Sequence, residues 1–260
     1  MINFKSVKVQ LNLFLAAFAA FLFFKEPRIV FLTGFSWALL FSILIETGVL
    51  YLKTKKFQIT DSAITSGMIL GYVLSSESPW WIFLAAAAFA IGLKYVLRFH
   101  GKNLLNPAAL GIFLTVLLLK GTTEWKGTYE WYMLIPAGLY FVNKIRKLEI
   151  VLGYFAMSLL LFVPQALARG SSLLDITGYF SYFFIFIMLI EPKTTPAAYW
   201  PKIVFGAGTA LLVFLFIEWG FRYEPELFAL LVLNALVPFL NKIPNFIFPT
   251  QKNIVPKELP

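Results

Sequence analysis

The 260-residue chain contains no cysteine and a single histidine, His100. Without cysteine it cannot ligate an iron–sulfur cluster, close a disulfide or carry a c-type haem through thioethers. One histidine cannot supply the usual pair of axial ligands for a b-type haem buried in a membrane. Redox chemistry on this chain therefore requires an organic cofactor or a metal held by a partner. Charge is equally sparse: 13% of residues are Asp, Glu, Lys or Arg, where a soluble domain carries about a quarter. There is no GxxxxGK[ST] or GxGxxG phosphate loop, no HExxH and no nucleophile elbow, which argues against a catalytic site of the soluble type.

What fills the space is apolar. Hydrophobic residues make up 60% of the chain, aromatics 18%, and the mean hydropathy is +0.79. Apolar runs suggest ten spans, roughly 9–24, 29–52, 62–75, 79–98, 107–119, 131–145, 148–167, 173–190, 198–218 and 224–241. At about 20 residues per crossing, ten spans consume about 200 residues, leaving no room for a soluble domain. The expected fold class is all-α integral membrane, one polytopic domain over 1–260. It would comprise a first five-helix half (1–119), a second half (120–242) and a cytoplasmic tail (243–260).

The net charge of +9 is explained by topology. Placing the N-terminus on one side assigns 16 of the 22 Lys and Arg residues to that side and 6 to the other. This is the positive-inside pattern for an even number of spans with both termini cytoplasmic, and implies a multi-pass protein of the cell (inner) membrane. Contact with anionic lipid heads accounts for the basic residues, so no nucleic-acid partner is expected. An odd number of spans per half would invert the second half relative to the first. Asp61 and Asp175, and Gly92 and Gly206, are candidate marks of such inverted five-helix repeats with short or broken helices.

Three stretches stand out. In GKNLLNPAALG (101–111), Pro107 lacks an N–H and pushes Asn106 out of helical dihedrals. A short helix then starts at Pro107 with Asn106 as its cap, its first-turn amides and the Asn103 amide turned toward an anionic or electron-rich group. The plainer reading is an ordinary cap before a short span. In EPKTTP (191–196), two prolines stop the preceding run FFIFIMLI and leave Glu191 where hydrocarbon ends or protein encloses a cavity. A plain cytoplasmic turn explains it as well. In ITDSAITSGMILG (59–71), Ser62, Ala63, Ser66 and Gly67 permit close packing, and Asp61 reads as a helix cap. Among ionisable residues in apolar runs, Lys94, Arg98 and Glu218 lie close enough to helix ends to snorkel, and Glu46 lies deeper. Trp80 and Trp81 after Pro79 read as an interfacial belt.

TDSAITSGMILGYVL, SPWWIFLAAAAFAIGLKYVLRFHGKNLLNPAALG, FIMLIEPKTTPAAYWPKIVFGAG and LLVLNALVPFLNK appear in that order over most of residues 60–242. They resemble successive blocks of the family containing the RnfD subunit of ferredoxin:NAD oxidoreductase and the NqrB subunit of sodium-pumping NADH:quinone reductase. The resemblance implies a flavin-carrying membrane subunit of an ion-translocating redox complex, in which electron flow is coupled to Na⁺ or H⁺ movement. Reductase and iron–sulfur functions would then belong to other subunits. The family's NPA block aligns with Asn106, Pro107 and Ala108, its preceding glycine and asparagine with Gly101 and Asn103, and its fourth-helix lysine with Lys94. Its DP-x-T block resembles Glu191, Pro192 and Thr194, with Glu replacing Asp. On this reading Gly101, Asn103 and Asn106 hold the flavin, Lys94 balances its charge on reduction, and Asp61 or Glu191 lies on an ion or proton route.

One departure is large. Family members carry a long loop between the fifth and sixth helices, with an S-x-A-T-like sequence whose last threonine takes FMN through a phosphoester. Here that stretch is KGTTEWKGTYE (120–130), with only Thr122 and Thr123 as acceptors and no such motif. The expectation is a compact member whose flavin, FMN or riboflavin, is bound noncovalently, with Thr123 the residual covalent candidate. A small-solute transporter or channel on the same fold, and an anchor that only holds partner subunits, are the rivals.

Overall fold

The computed structural model describes residues 6–99, 101–170, 178 and 180–243; His100, Asp175 and most of the tail lie outside them. Among the described residues the chain is all-α apart from one small hairpin. Its helices are α1 (Val7–Lys25), α2 (Ile29–Thr54), α3 (Asp61–Val73), α4 (Trp80–Val96), α5 (Pro107–Leu119), α6 (Trp131–Lys144), α7 (Leu148–Ala168), α8 (Tyr199–Glu218) and α9 (Pro225–Leu240). α1, α2, α7 and α8 are long and apolar enough to cross a membrane, and α4, α5 and α9 are shorter apolar helices. The expected spans overlap these helices, with two informative differences.

The apolar pattern carries the fourth span to residue 98, but α4 stops at Val96. There β1 (Arg98–Phe99) pairs antiparallel with β2 (Lys102–Asn103). Gly101 makes the turn possible, because its φ of +77° lies in the left-handed region that side chains disfavour. The eighth expected span, 173–190, is the other difference. From Tyr182 a helical turn leads into a π-helical turn, Phe184–Met188, in which the Leu189 N–H donates to the Phe184 carbonyl at 2.9 Å. Residues 183–190 are all buried, so this apolar run is threaded through the centre of the protein. Pro192 and Pro196 follow it and prevent the helix from continuing.

Two helices are half-length for a clear local reason. α5 has 13 residues and begins as its sequence dictates: Pro107 occupies the first turn, and the Asn106 side-chain oxygen accepts from the Ala109 N–H at 3.0 Å. α3 also has 13 residues, about 20 Å of helix against a hydrocarbon layer of about 30 Å. Its cap is Thr60, whose hydroxyl accepts from Ala63 N–H at 3.2 Å; Asp61, expected as the cap, is instead the first helical residue. There its carboxylate still complements the positive end of the helix.

Packing relies on backbone contact through small residues, as expected where lipid removes the usual hydrophobic drive between helices. α7 and α8 cross so closely that a Cβ on Gly206 would stand 2.0 Å from the Ile150 carbonyl. Gly92, its expected repeat counterpart, faces open space, so the two glycines do not play equivalent packing roles. The core between α1, α2, α3 and the π turn is aromatic: Phe18, Phe31, Phe35 and Phe183 surround Tyr72, whose hydroxyl donates to the Leu15 carbonyl at 2.6 Å.

Candidate functional site

The start of α5 is buried and fully knitted to the second half of the chain. The Asn106 N–H donates to Asn234 Oδ1 at 2.9 Å, and Asn106 Nδ2 donates to the Met188 carbonyl at 3.1 Å. Asn234, from the middle of α9, passes the link on: its Nδ2 donates to the Thr194 carbonyl at 3.0 Å. Two asparagines, 1% and 0% exposed, thus tie the proline-started helix α5 to the break that follows the π turn. Each satisfies backbone groups that irregular chain would otherwise leave unpaired in an apolar interior. The NPA motif acts here first as a joint.

Beside this joint lies a pocket of about 300 Å³ whose lining includes Lys102, Asn103, Lys147, Lys193, Thr194 and Asn234. That volume is at the lower end of small-molecule sites. Its chemistry is one-sided, with three lysines and no carboxylate among the described lining residues. Asn103 Nδ2 and Thr194 Oγ1 are buried and have no hydrogen-bond partner among the described residues. Their residues are only 6% and 2% exposed. An unpaired buried amide or hydroxyl costs about 1–3 kcal/mol, so these two are places where water or a polar guest in the pocket can bind. Lys147, just ahead of α7, donates to the Thr195 and Pro196 carbonyls. Burial, with the Lys202 ammonium nearby, pushes its amine down to about 8.

The other expected site residues divide among different places. Glu191 and Pro192 line a second, smaller and mostly apolar cavity of about 90 Å³, with Lys8, Ser62, Thr65 and Asn106. Pro192 lines both cavities, so both adjoin the same break. Pro107 is buried at the first turn of α5, and Gly101 forms the hairpin turn. Lys94 is engaged elsewhere: its ammonium sits 2.6 Å from both oxygens of Glu46 on α2, 3.2 Å from Ser62 Oγ, and the Tyr95 hydroxyl donates to Glu46 at 3.1 Å. Asp61 begins α3, where its carbonyl accepts from Asn12 Nδ2 at 3.2 Å and Thr65 Oγ1 at 2.7 Å. Thr123 lies at the opposite end of α3, bridged to Leu74, and its hydroxyl donates to Glu224. Trp125 Nε1 donates to the same carboxylate at 2.8 Å.

Sequence reasoning passes over Asn234 and Lys147. A lone asparagine inside LLVLNALV is the signal that could have found the first, because an intramembrane amide must find a partner. Lys147 carries no local signal, as it reads as one more residue obeying the charge rule.

The profile of the NQR2, RnfD, RnfE family matches residues 3–128 and 117–247. The chain belongs to this family. It is similar to the D subunit of the ion-translocating oxidoreductase complex of Stutzerimonas stutzeri, 23% identical over 78% of this chain and 80% of that protein. The protein of the same name from Halorhodospira halophila is 24% identical over 70% of this chain and 72% of its own length. That from Pseudomonas aeruginosa PAO1 is 21% identical over 81% of each. Family membership and the apolar helices together make this a multi-pass membrane protein. For this member of the NQR2, RnfD, RnfE family, the 120–130 stretch is a tight cap over the end of α3.

Proposed function

We propose that this chain is the RnfD-like membrane subunit of an ion-translocating oxidoreductase complex, passing electrons through a noncovalently bound flavin, FMN or riboflavin. The observation that carries the reading is the basic pocket with its two unpaired buried polar side chains, Asn103 and Thr194. The donor set fits a flavin: the ring edge and ribityl chain are rich in acceptors, and the ring gains negative charge on reduction. A flavin bound there supplies reversible one- and two-electron transfer. Asn103 Nδ2 and Thr194 Oγ1 donate to it, Lys102, Lys147 and Lys193 hold the charge that reduction adds, and the Asn106–Asn234 joint keeps the donors in place. Lys94 acts through its pair with Glu46. Glu191, which lines the smaller cavity, or Asp61 at the start of α3 lies on the route by which Na⁺ or H⁺ moves. Partner subunits carry the iron–sulfur and reductase domains, and the lysine-rich face, with both termini, is on the cytoplasmic side of the inner membrane.

The test is a titration of the purified, detergent-solubilised protein with riboflavin or FMN, followed by quenching of flavin fluorescence. Binding is expected, and Asn103→Leu and Thr194→Val should each weaken it about tenfold, the effect of losing about 1.4 kcal/mol. No binding by the unaltered protein would remove the electron-carrier role. A passage for a small solute is the second reading, favoured by the 90 Å³ cavity beside the first turn of α3. Solute flux in proteoliposomes without any electron donor, abolished by Asn106→Leu, would establish it instead.

A further inference from the structure

The pocket that the flavin reading uses carries more positive charge than a flavin ring balances. Three segments meet there: the hairpin after α4 brings Lys102 and Asn103, the link before α7 brings Lys147, and the break after the π turn brings Lys193 and Thr194. Lys102 and Lys193 are exposed and Lys147 is buried, so the lysines run from the mouth of the pocket inward. Lys147 uses two of its three N–H donors on the Thr195 and Pro196 carbonyls and keeps one. The nearby carboxylates lie elsewhere: Glu149 is 3.1 Å from the Lys202 ammonium, and Glu191 lines the smaller cavity with Lys8. Neighbouring polar side chains are also engaged. The Thr195 hydroxyl donates to the Glu191 carbonyl at 2.8 Å, and the Asn106 and Asn234 amides form the joint. Asn103 Nδ2 and Thr194 Oγ1 are left as buried donors without a partner among the described residues.

We propose that this pocket is a phosphate-monoester site, with Lys102, Lys147 and Lys193 as its charge and Asn103 and Thr194 as its neutral donors. Water satisfies an amide and a hydroxyl but leaves the ammonium groups without a counter-charge. Reduction of a flavin ring adds about one negative charge, short of what the lysines offer. A phosphate monoester carries about −1.5 to −2 at neutral pH and three strong acceptor oxygens, so monoester and reduced ring together match the three lysines. Its oxygens accept from both unpaired donors and from the ammonium groups at once, and charge-assisted bonds of this kind are the stronger ones. The proposal rests on the flavin reading only for what the phosphate is attached to: a flavin held here is FMN and not riboflavin. Inorganic phosphate, or a phospholipid ending in a phosphate, presents the same group.

The experiment uses the full chain in detergent at neutral pH and constant ionic strength. Quenching of flavin fluorescence should show FMN binding at least about tenfold more tightly than riboflavin. Lys102→Gln/Lys193→Gln, at two exposed positions where substitution has little effect on folding, should bring that ratio close to one. In a second arm, phosphate replaces chloride, or phosphatidic acid replaces phosphatidylcholine in the micelle. Either should raise the Tm of the unaltered protein and not of the double variant. A Tm response without binding of either flavin keeps the phosphate site and removes the flavin reading, and the additive that acts at the lower concentration identifies the source. FMN and riboflavin bound equally, with no response to phosphate or phosphatidic acid, leaves the flavin reading standing and overturns the phosphate site. An FMN preference that survives the double substitution, or no response in either arm, also overturns it.

Discussion

Replacing Lys94 by methionine tests the energetics of the interior most directly. Lys94 and Glu46 are 2.6 Å apart, with side chains 5% and 3% exposed. At an effective dielectric constant of about 20, their gross attraction is about 6 kcal/mol. Much of it offsets the several kcal/mol needed to take each charge out of water, so the pair adds little net stability while either half alone is costly. Lys94→Met leaves the Glu46 carboxylate buried, with the Tyr95 hydroxyl its only partner among the described residues, and should destabilise by about 3–5 kcal/mol. At about 2–4 °C per kcal/mol for a chain of this size, Tm should fall on the order of 10 °C. Glu46→Gln should cost a comparable amount through the stranded ammonium. The double variant Glu46→Gln/Lys94→Met removes both charges and should recover most of the loss. The assay is a double-mutant cycle by thermal or denaturant unfolding in micelles. Single losses below about 1 kcal/mol, or losses that simply add, would refute the pairing and leave Lys94 free to compensate a ligand's charge.

Asn234→Leu should cost about 2–4 kcal/mol by stranding the buried Asn106 N–H and Thr194 carbonyl, and should also weaken flavin binding, both read on the same purified protein. Gly206→Ala should prevent stable assembly of α7 against α8, as seen by loss of folded protein on size exclusion. Gly92→Ala, in open space, should be neutral or add up to about 1 kcal/mol. Thr123→Val should leave flavin content unchanged, and acid-denatured protein should carry no flavin fluorescence on a gel; a covalent band lost in the variant would contradict noncovalent binding. Stability should rise between about pH 8 and 10.5: the unfolded chain still holds protons on Lys126 and Lys147 there, whereas the folded protein has released them. A flat profile, measured by Tm against pH, counts against the depressed amines.

Local signals are legible where one residue's covalent chemistry decides the backbone. Pro107 and Asn106 start α5 as a proline and a capping amide must, and the prolines after the π turn end it. The cap of α3 lies one residue earlier than its sequence suggests, because Asp and Thr both cap helices and only the hydrogen bond from Ala63 to Thr60 distinguishes them. The site is partly visible in the sequence. Asn103 and Thr194 share a pocket, but Lys94, Asp61 and Thr123 lie elsewhere, since spacing along the chain says nothing about which helices meet.

Composition and the length of the apolar runs alone determine that the chain is helical and membrane-embedded, because hydrocarbon offers the backbone no hydrogen-bond partners and a helix satisfies it from within. Only the tertiary structure decides which polar groups satisfy one another. It commits Lys94 to Glu46, Asn106 to Asn234 and Lys126 to the end of α3, and leaves Asn103 Nδ2 and Thr194 Oγ1 without a partner among the described residues, beside a pocket. Those pairings join residues 48 to 128 positions apart, and a hydrogen bond, unlike a helical period, leaves no trace in the intervening sequence.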